Sequence, residues 1–184
     1  MIAFDTLCRS KTLKFRYADI FFNFNFDEDT IFQFRLDKHV MVYIYSGSIK
    51  VEDESNHSME GKQEECFFIE KNTSVLISCH LGNANNFSCL FMAIKQKSLS
   101  LFHYQLCPIL YLSHIKRYLP RIMRLPETAD IKSLFISMIP YFNWPQCPCK
   151  EIMDLKQSEA IYSLIYADKG YYFCLHRTLL SSQS

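Results

Sequence analysis

The chain has 184 residues, 49% of them hydrophobic and 15% aromatic, which is enough to bury a core in one compact unit and excludes a disordered chain. Its 20 Lys and Arg against 19 Asp and Glu leave a net charge of +1, which excludes a strongly basic nucleic-acid binder. The 8 Cys come without a secretory leader pattern in residues 1–10, and no stretch nears the ~18 apolar residues of a membrane span; a soluble cytoplasmic protein with reduced thiols and no membrane contact is expected.

From residue 13 to 93 the dominant period is two, the signal of β-strands. Phe22, Phe24 and Phe26 alternate with Asn23 and Asn25, and Phe32, Phe34 and Leu36 with Gln33 and Arg35; each set predicts a half-buried strand. Residues 39–45 are apolar on both faces, as in a central strand covered from two sides. Ser46-Gly47-Ser48 breaks that run, and Ile49 and Val51 alternating with Lys50 and Glu52 read as the return arm of a hairpin, with a polar, acidic loop at 53–65. Cys66-Phe67-Phe68-Ile69 and Val75-Leu76-Ile77 predict two more strands, and residues 87–94 another after the turn-like Gly82-Asn83-Ala84-Asn85. Many short strands without helices between them indicate an antiparallel sandwich or barrel.

After Lys97 the period changes. Ile131, Leu134, Phe135, Met138, Ile139 and Phe142 form one apolar stripe of a helix over 130–142, with Thr128 and Asp130 as candidate caps. Pro145 and Pro148 prevent its continuation. A second helix from about Glu151 has Met153, Ala160, Ile161, Leu164 and Ile165 on one face and Lys156, Gln157 and Asp168 on the other, closed by Gly170; residues 171–180 predict a further short helix. Tyr162 and Tyr166 widen its apolar face beyond what one packing surface needs, which suits a helical dimer interface.

Few residues invite catalysis. A metal on a small β-barrel needs two His one strand step apart, and none of His39, His57, His80, His103, His114 and His176 is so spaced. Cys147-Pro148-Cys149 reads as a proline-rich turn with two ordinary thiols, because it lacks the paired spacing of structural zinc. There is no nucleophile elbow and, with 4 Gly, no phosphate-cradling loop, so neither an enzyme nor a cofactor is expected. Residues 1–60 are acidic in balance and 95–150 basic, the latter through Lys116, Arg117, Arg121 and Arg124, which read as a solvated connector or as partners for an anion.

The hairpin Tyr43, Gly47, Ile49, Val51, the strand Cys66-Phe67-Phe68-Ile69-Glu70-Lys71, and the late helix carrying Leu155, Lys156, Glu159 and Ile161 follow one another in an order that resembles the N-terminal regulatory domain of AraC-type transcription regulators. Within that family it is most similar to the ExsA-like branch that controls type III secretion and other virulence genes. Glu64-Glu65 stands where the family commonly has a glycine before the strand.

The resemblance implies an α+β fold, an N-terminal antiparallel, cupin-like β-barrel over 1–96 followed by a small bundle of dimerising α-helices over 97–184, in one compact unit. It implies dimerisation through Met153, Ala160, Ile161, Tyr162, Leu164 and Ile165, as a homodimer or with a full-length AraC-type relative. It also implies a fatty-acid-like effector or an anti-activator protein as the regulating partner, with Lys38, Lys116, Arg117, Arg121 and Arg124 as candidate anion ligands. The family's DNA contacts belong to a helix-turn-helix domain expected beyond Ser184, and none is expected in this chain. The competing expectation is a small-molecule-binding or metal-dependent β-barrel protein with no role in transcription.

Overall fold

The described residues contain eleven strands, most of them in the stretch of period-two patterning: β1 (Ile2–Ala3), β2 (Leu13–Tyr17), β3 (Phe21–Phe26), β4 (Thr30–Arg35), β5 (His39–Ser46), β6 (Ser48–Asp53), β7 (Ser58–Lys62), β8 (Cys66–Ile69), β9 (Ser74–His80), β10 (Phe87–Ile94) and β11 (Ile122–Arg124). Helices α1 (Ala129–Ile136), α2 (Ile139–Phe142) and α3 (Lys150–Ala167) follow. The structure, a computed structural model, describes residues 2–3, 11–100, 102 and 120–167.

The strands form two sheets rather than one closed barrel: a 5-stranded sheet in the order β1-β4-β9-β6-β7 and a 6-stranded sheet in the order β11-β8-β5-β10-β3-β2. Pairing is antiparallel except between β1 and β4. The expected hairpin at Ser46-Gly47-Ser48 is instead a corner, because β5 and β6 lie in different sheets. Gly47 makes it, with φ +82° and with the place of a Cβ only 2.5 Å from the His80 carbonyl oxygen. The polar stretch expected as a loop contains β7, which pairs with β6. Asp53 Oδ1 accepts from the backbone N–H of Ser55 and His57 to form the connecting turn.

Alternation splits the second sheet's side chains between two cores. Phe24, Val42, Ile44, Phe67 and Phe91 face the first sheet, where Phe32, Phe34, Ile49, Val51 and Ile77 meet them. Phe21, Met41, Tyr43, Phe68, Leu90 and Met92 face the other way and are covered by Leu134, Phe135, Met153, Ala160 and Leu164 of the helices. That cover explains why β3 is not half-buried as expected: Asn23 is 1% exposed, and its Nδ2 donates to the Cys89 carbonyl at 2.9 Å. β4, on the uncovered sheet, does alternate buried and exposed.

The helix expected over 130–142 is broken. Thr128 caps α1 by accepting from Ile131 N–H at 3.3 Å, but Pro140 has no N–H to carry the ladder on, so the chain turns at Ser137 and restarts as α2. Ile139 consequently lies exposed at 42%, off the expected stripe. Gln157, expected on the polar side of α3, is fully buried: its Nε2 donates to Ala93 O at 2.8 Å and its Oε1 accepts from Lys95 N–H at 3.1 Å. It ties α3 to the end of β10. Tyr45 does the same for α1, donating its hydroxyl to Phe135 O at 2.7 Å, and burial holds that phenol far above its ordinary titration range. Asp168, Gly170 and the helix expected at 171–180 lie outside the described residues.

Candidate functional site

The turn that enters β8 contains one of the four non-glycine residues of positive φ among the described residues. Glu65 N–H closes it on Lys62 O at 3.1 Å, and Glu64, its third residue, has φ +70°. Glycine normally occupies such a position, since a side chain there costs about 1–2 kcal/mol. Glu64 therefore holds the turn in a conformation that suits glycine, with a carboxylate added.

That carboxylate reaches across to α1, where Lys132 Nζ donates to Glu64 Oε2 at 2.6 Å. The contact raises the lysine's pKa above its ordinary value, the hydrogen bond to Glu64 being the main cause. Its neighbour Glu65 is held from two sides, by Arg124 Nη1 at 3.2 Å and by Lys62 backbone N–H at 2.9 Å. Arg124 also donates through Nη2 to the Glu60 carbonyl and lies 6.0 Å over the Phe67 ring. It thereby joins β7, at the edge of one sheet, to β11, at the edge of the other.

Two clefts border this cluster. One, of about 230 Å³, lies between the β7–β8 turn and the start of α1, with Tyr43, Leu125, Pro126 and Ile131 as its apolar lining and Glu64, Glu65, Glu127, Arg124 and Lys132 as its charges. The other, of about 400 Å³, is lined by Lys50, Glu60, Lys62 and His80. Glu65 and Arg124 belong to both linings, so their ion pair stands on the common border. Gly61 lines the larger cleft because the backbone runs against the Phe67 ring, 2.2 Å from where a Cβ would be.

Of the cations nominated from sequence, Arg124 lines both clefts, whereas Lys38 sits in the β4–β5 turn beside Asp37 at 3.6 Å, and Arg121 lies just before β11; neither lines either cleft. Lys116 and Arg117 lie outside the described residues. The described end of that basic run is an edge strand paired with β8. Sequence reasoning missed Lys132 and Glu64 as partners, which are 68 residues apart in the chain and meet only through the fold.

The residues nominated for dimerisation divide sharply. Met153, Ala160, Ile161, Leu164 and Ile165 are buried within the chain's own helix–sheet core, while Tyr162 is exposed at 37%. Ile152, Leu155 and Tyr166 are exposed with it, on the side of α3 turned away from the core.

The thiols of Cys66, Cys79 and Cys89 are buried and pushed well above their ordinary range by desolvation, whereas Cys147 and Cys149 are exposed. Among the described residues no three His, Cys, Asp or Glu side chains gather as a metal site would require.

The family model of the ExsA N-terminal regulatory domain matches residues 39–174, most of the chain and most of both cores. The chain belongs to that family. It is thus a regulatory domain of the AraC type. Solved structures agree on the fold: ToxT of Vibrio cholerae is 12% identical, with a TM-score of 0.57 over 80% of this chain and 57% of that one. ToxT bound to an unsaturated fatty acid gives 12% identity and 0.52 over 89% and 57%, and ToxT bound to (E)-4-(8-methylnaphthalen-1-yl)but-3-enoic acid gives 16% and 0.50 over 86% and 66%. The chain spans little more than half the length of ToxT. No curated protein matches its sequence. Among the described residues no helix is long and apolar enough to cross a membrane.

Proposed function

We propose that this AraC-type regulatory domain works in the cytoplasm as the sensing and self-association module of a regulator of virulence or type III secretion genes. Residues 1–96 form its sensor half and 97–184 its helical half, acting as one unit. Self-association runs through the outward stripe of α3, Ile152, Leu155, Tyr162 and Tyr166, and joins a second copy or a full-length relative. The observation that carries this reading is that stripe: apolar residues recur at helical spacing on the side of α3 opposite its buried face, and among the described residues they are exposed, Tyr162 alone of them meeting a buried ring, that of Phe102 at 4.6 Å. The inward residues hold the fold, so the interface is assigned to the outward ones.

Light scattering over a concentration series tests it, with Leu155 and Tyr166 both changed to Asp. A dimer that the double change converts to monomer, with thermal stability unchanged, is expected. A wild-type chain that stays monomeric throughout the series sinks the assignment.

For the sensing half we infer a small-molecule effector of fatty-acid type in preference to an anti-activator protein. Support comes from the apolar cleft with cations on its border, and from the ligands named for the ToxT structures. The space between the two sheets is a less suitable place, because phenylalanines fill it with ring centroids 5.7 to 6.5 Å apart. Calorimetric titration with a long-chain carboxylate tests the effector class, and absence of heat at any concentration below the micellar limit rejects it.

A further inference from the structure

We propose that Cys147 and Cys149, in the loop between α2 and α3, form a two-thiolate site for a soft monovalent metal ion, Cu(I). The proposal is independent of both the effector and the self-association readings above.

Exposure separates these two thiols from the other described ones. Cys66, Cys79 and Cys89 are buried inside the two apolar cores, out of reach of an ion in solution, whereas Cys147 and Cys149 are both exposed with Pro148 alone between them. The loop that carries the pair is held at each end. Before it, the Phe142 ring packs on Phe15 and Tyr45 with centroids 5.7 and 5.4 Å apart; after it, the Cys149 carbonyl accepts from Met153 N–H at 3.3 Å as α3 begins. Pro148 fixes its own φ, so the segment between the sulfurs has less freedom to lose when an ion joins them.

The number of ligands decides the metal. Thiolate sulfur selects Cu(I), zinc or iron–sulfur clusters. Structural zinc and the clusters take four protein ligands, and among the described residues no third His, Cys, Asp or Glu gathers with these two. Cu(I), a monovalent ion with a filled d shell, is satisfied by two thiolates on opposite sides. Two metal–sulfur bonds of about 2.3 Å span about 4.6 Å, and Cα atoms two residues apart lie within about 7 Å, so side chains at this spacing reach one ion together. Each thiol gives up its proton on binding, and the complex of two thiolates with one Cu(I) carries a single negative charge. A filled site clamps the loop that joins α2 to α3, which gives the helical layer an input of its own.

Cu(I) supplied anaerobically as its bicinchoninate complex tests the proposal, uptake being read from the fading of that complex. The first equivalent taken up by the wild-type chain should quench Trp144, its single tryptophan, which is 64% exposed in the same loop. Cys147→Ser and Cys149→Ser should each weaken uptake about a hundredfold, because either change turns a chelate into a single ligand. The triple change Cys8→Ser, Cys107→Ser and Cys174→Ser should leave that first equivalent in place. Bound Cu(I) should also shield Cys147 and Cys149 of the wild type from iodoacetamide, as read by peptide mass. Undiminished uptake in the two single variants overturns the site, as does alkylation of both thiols in the Cu(I)-loaded wild type. Zn(II) that survives dialysis on the wild type and is lost from the single variants overturns the two-coordinate assignment.

Discussion

The two cores on either side of the second sheet are built differently. Between the sheets, phenylalanine rings stack and cross at centroid distances near 6 Å, as with Phe24, Phe26 and Phe32. Between sheet and helices, mixed Met, Leu and Ile packing is supplemented by polar pins: Gln157 on β10, Tyr45 on α1, and the Glu64–Lys132 pair at the edge. Apolar rings can fill space from either direction, whereas the pins fix one orientation of a helix on a sheet. The first core therefore serves stability and the second serves position.

Phe24→Ala should give the largest effect. Truncating a ring that meets Phe22, Phe26 and Phe91 removes about 3–5 kcal/mol, seen as a fall in the urea midpoint of the whole domain. Equal losses from truncating a ring and from removing a pin would erase the distinction between the cores. Gln157→Ala should cost less, about 2 kcal/mol, because it leaves Ala93 O and Lys95 N–H without partners. Its signature should be local: faster hydrogen exchange over 150–167 than in β5 and β10. Uniform acceleration across both would show that the helices are not separately pinned.

Smaller and of opposite sign is Glu64→Gly, which should stabilise the domain by about 1 kcal/mol by relaxing the left-handed backbone, detected as a raised thermal midpoint. A destabilised variant would mean that the ion pair to Lys132 outweighs the strain. Smallest is an acid effect at the start of α3, where Asp154 accepts from Lys150 and Lys95, contacts that lower its pKa below the ordinary 3.8. A carboxylate with a depressed folded pKa contributes stability above its ordinary pKa, and that contribution disappears as pH falls through the folded value. Asp154→Asn should thus narrow the gap between urea midpoints measured at about pH 6 and about pH 3. An unchanged gap would show that the contacts of Asp154 with Lys150 and Lys95 add nothing to stability.

The first core was the more legible in the sequence, because a strand's alternation directly separates inward from outward residues. Phe32 and Phe34 against Gln33 and Arg35, and the doubly apolar run of β5, announced antiparallel strands and a buried middle one, though not whether they close into a barrel or stack as two sheets. The pins were not legible. Gln157 looks solvent-facing until β10 supplies two backbone partners, and Ile139 looks buried until Pro140 breaks the helix beneath it. β7 was hidden because Met59 and Gly61 are the sole weakly polar members of an acidic stretch, and Gly61 is selected by the Phe67 ring rather than by strand preference. The candidate site suffered similarly: Arg124 could be named from charge alone, but its meeting with Glu65 and the pairing of Lys132 with Glu64 join residues brought together only by the fold.

The Gly47 corner bears on how the chain reaches this state. By sending β6 into the opposite sheet, it prevents two consecutive strands from zipping up as a hairpin, so β5 must wait for β8 and β10, synthesised later, before either of its edges is paired. Local hairpins remain in β2–β3 and β6–β7. The rest of the sandwich assembles by closing long loops, which places refolding in the slow range of about milliseconds to seconds and leaves the apolar edges of β5 exposed to other chains until the last strand arrives.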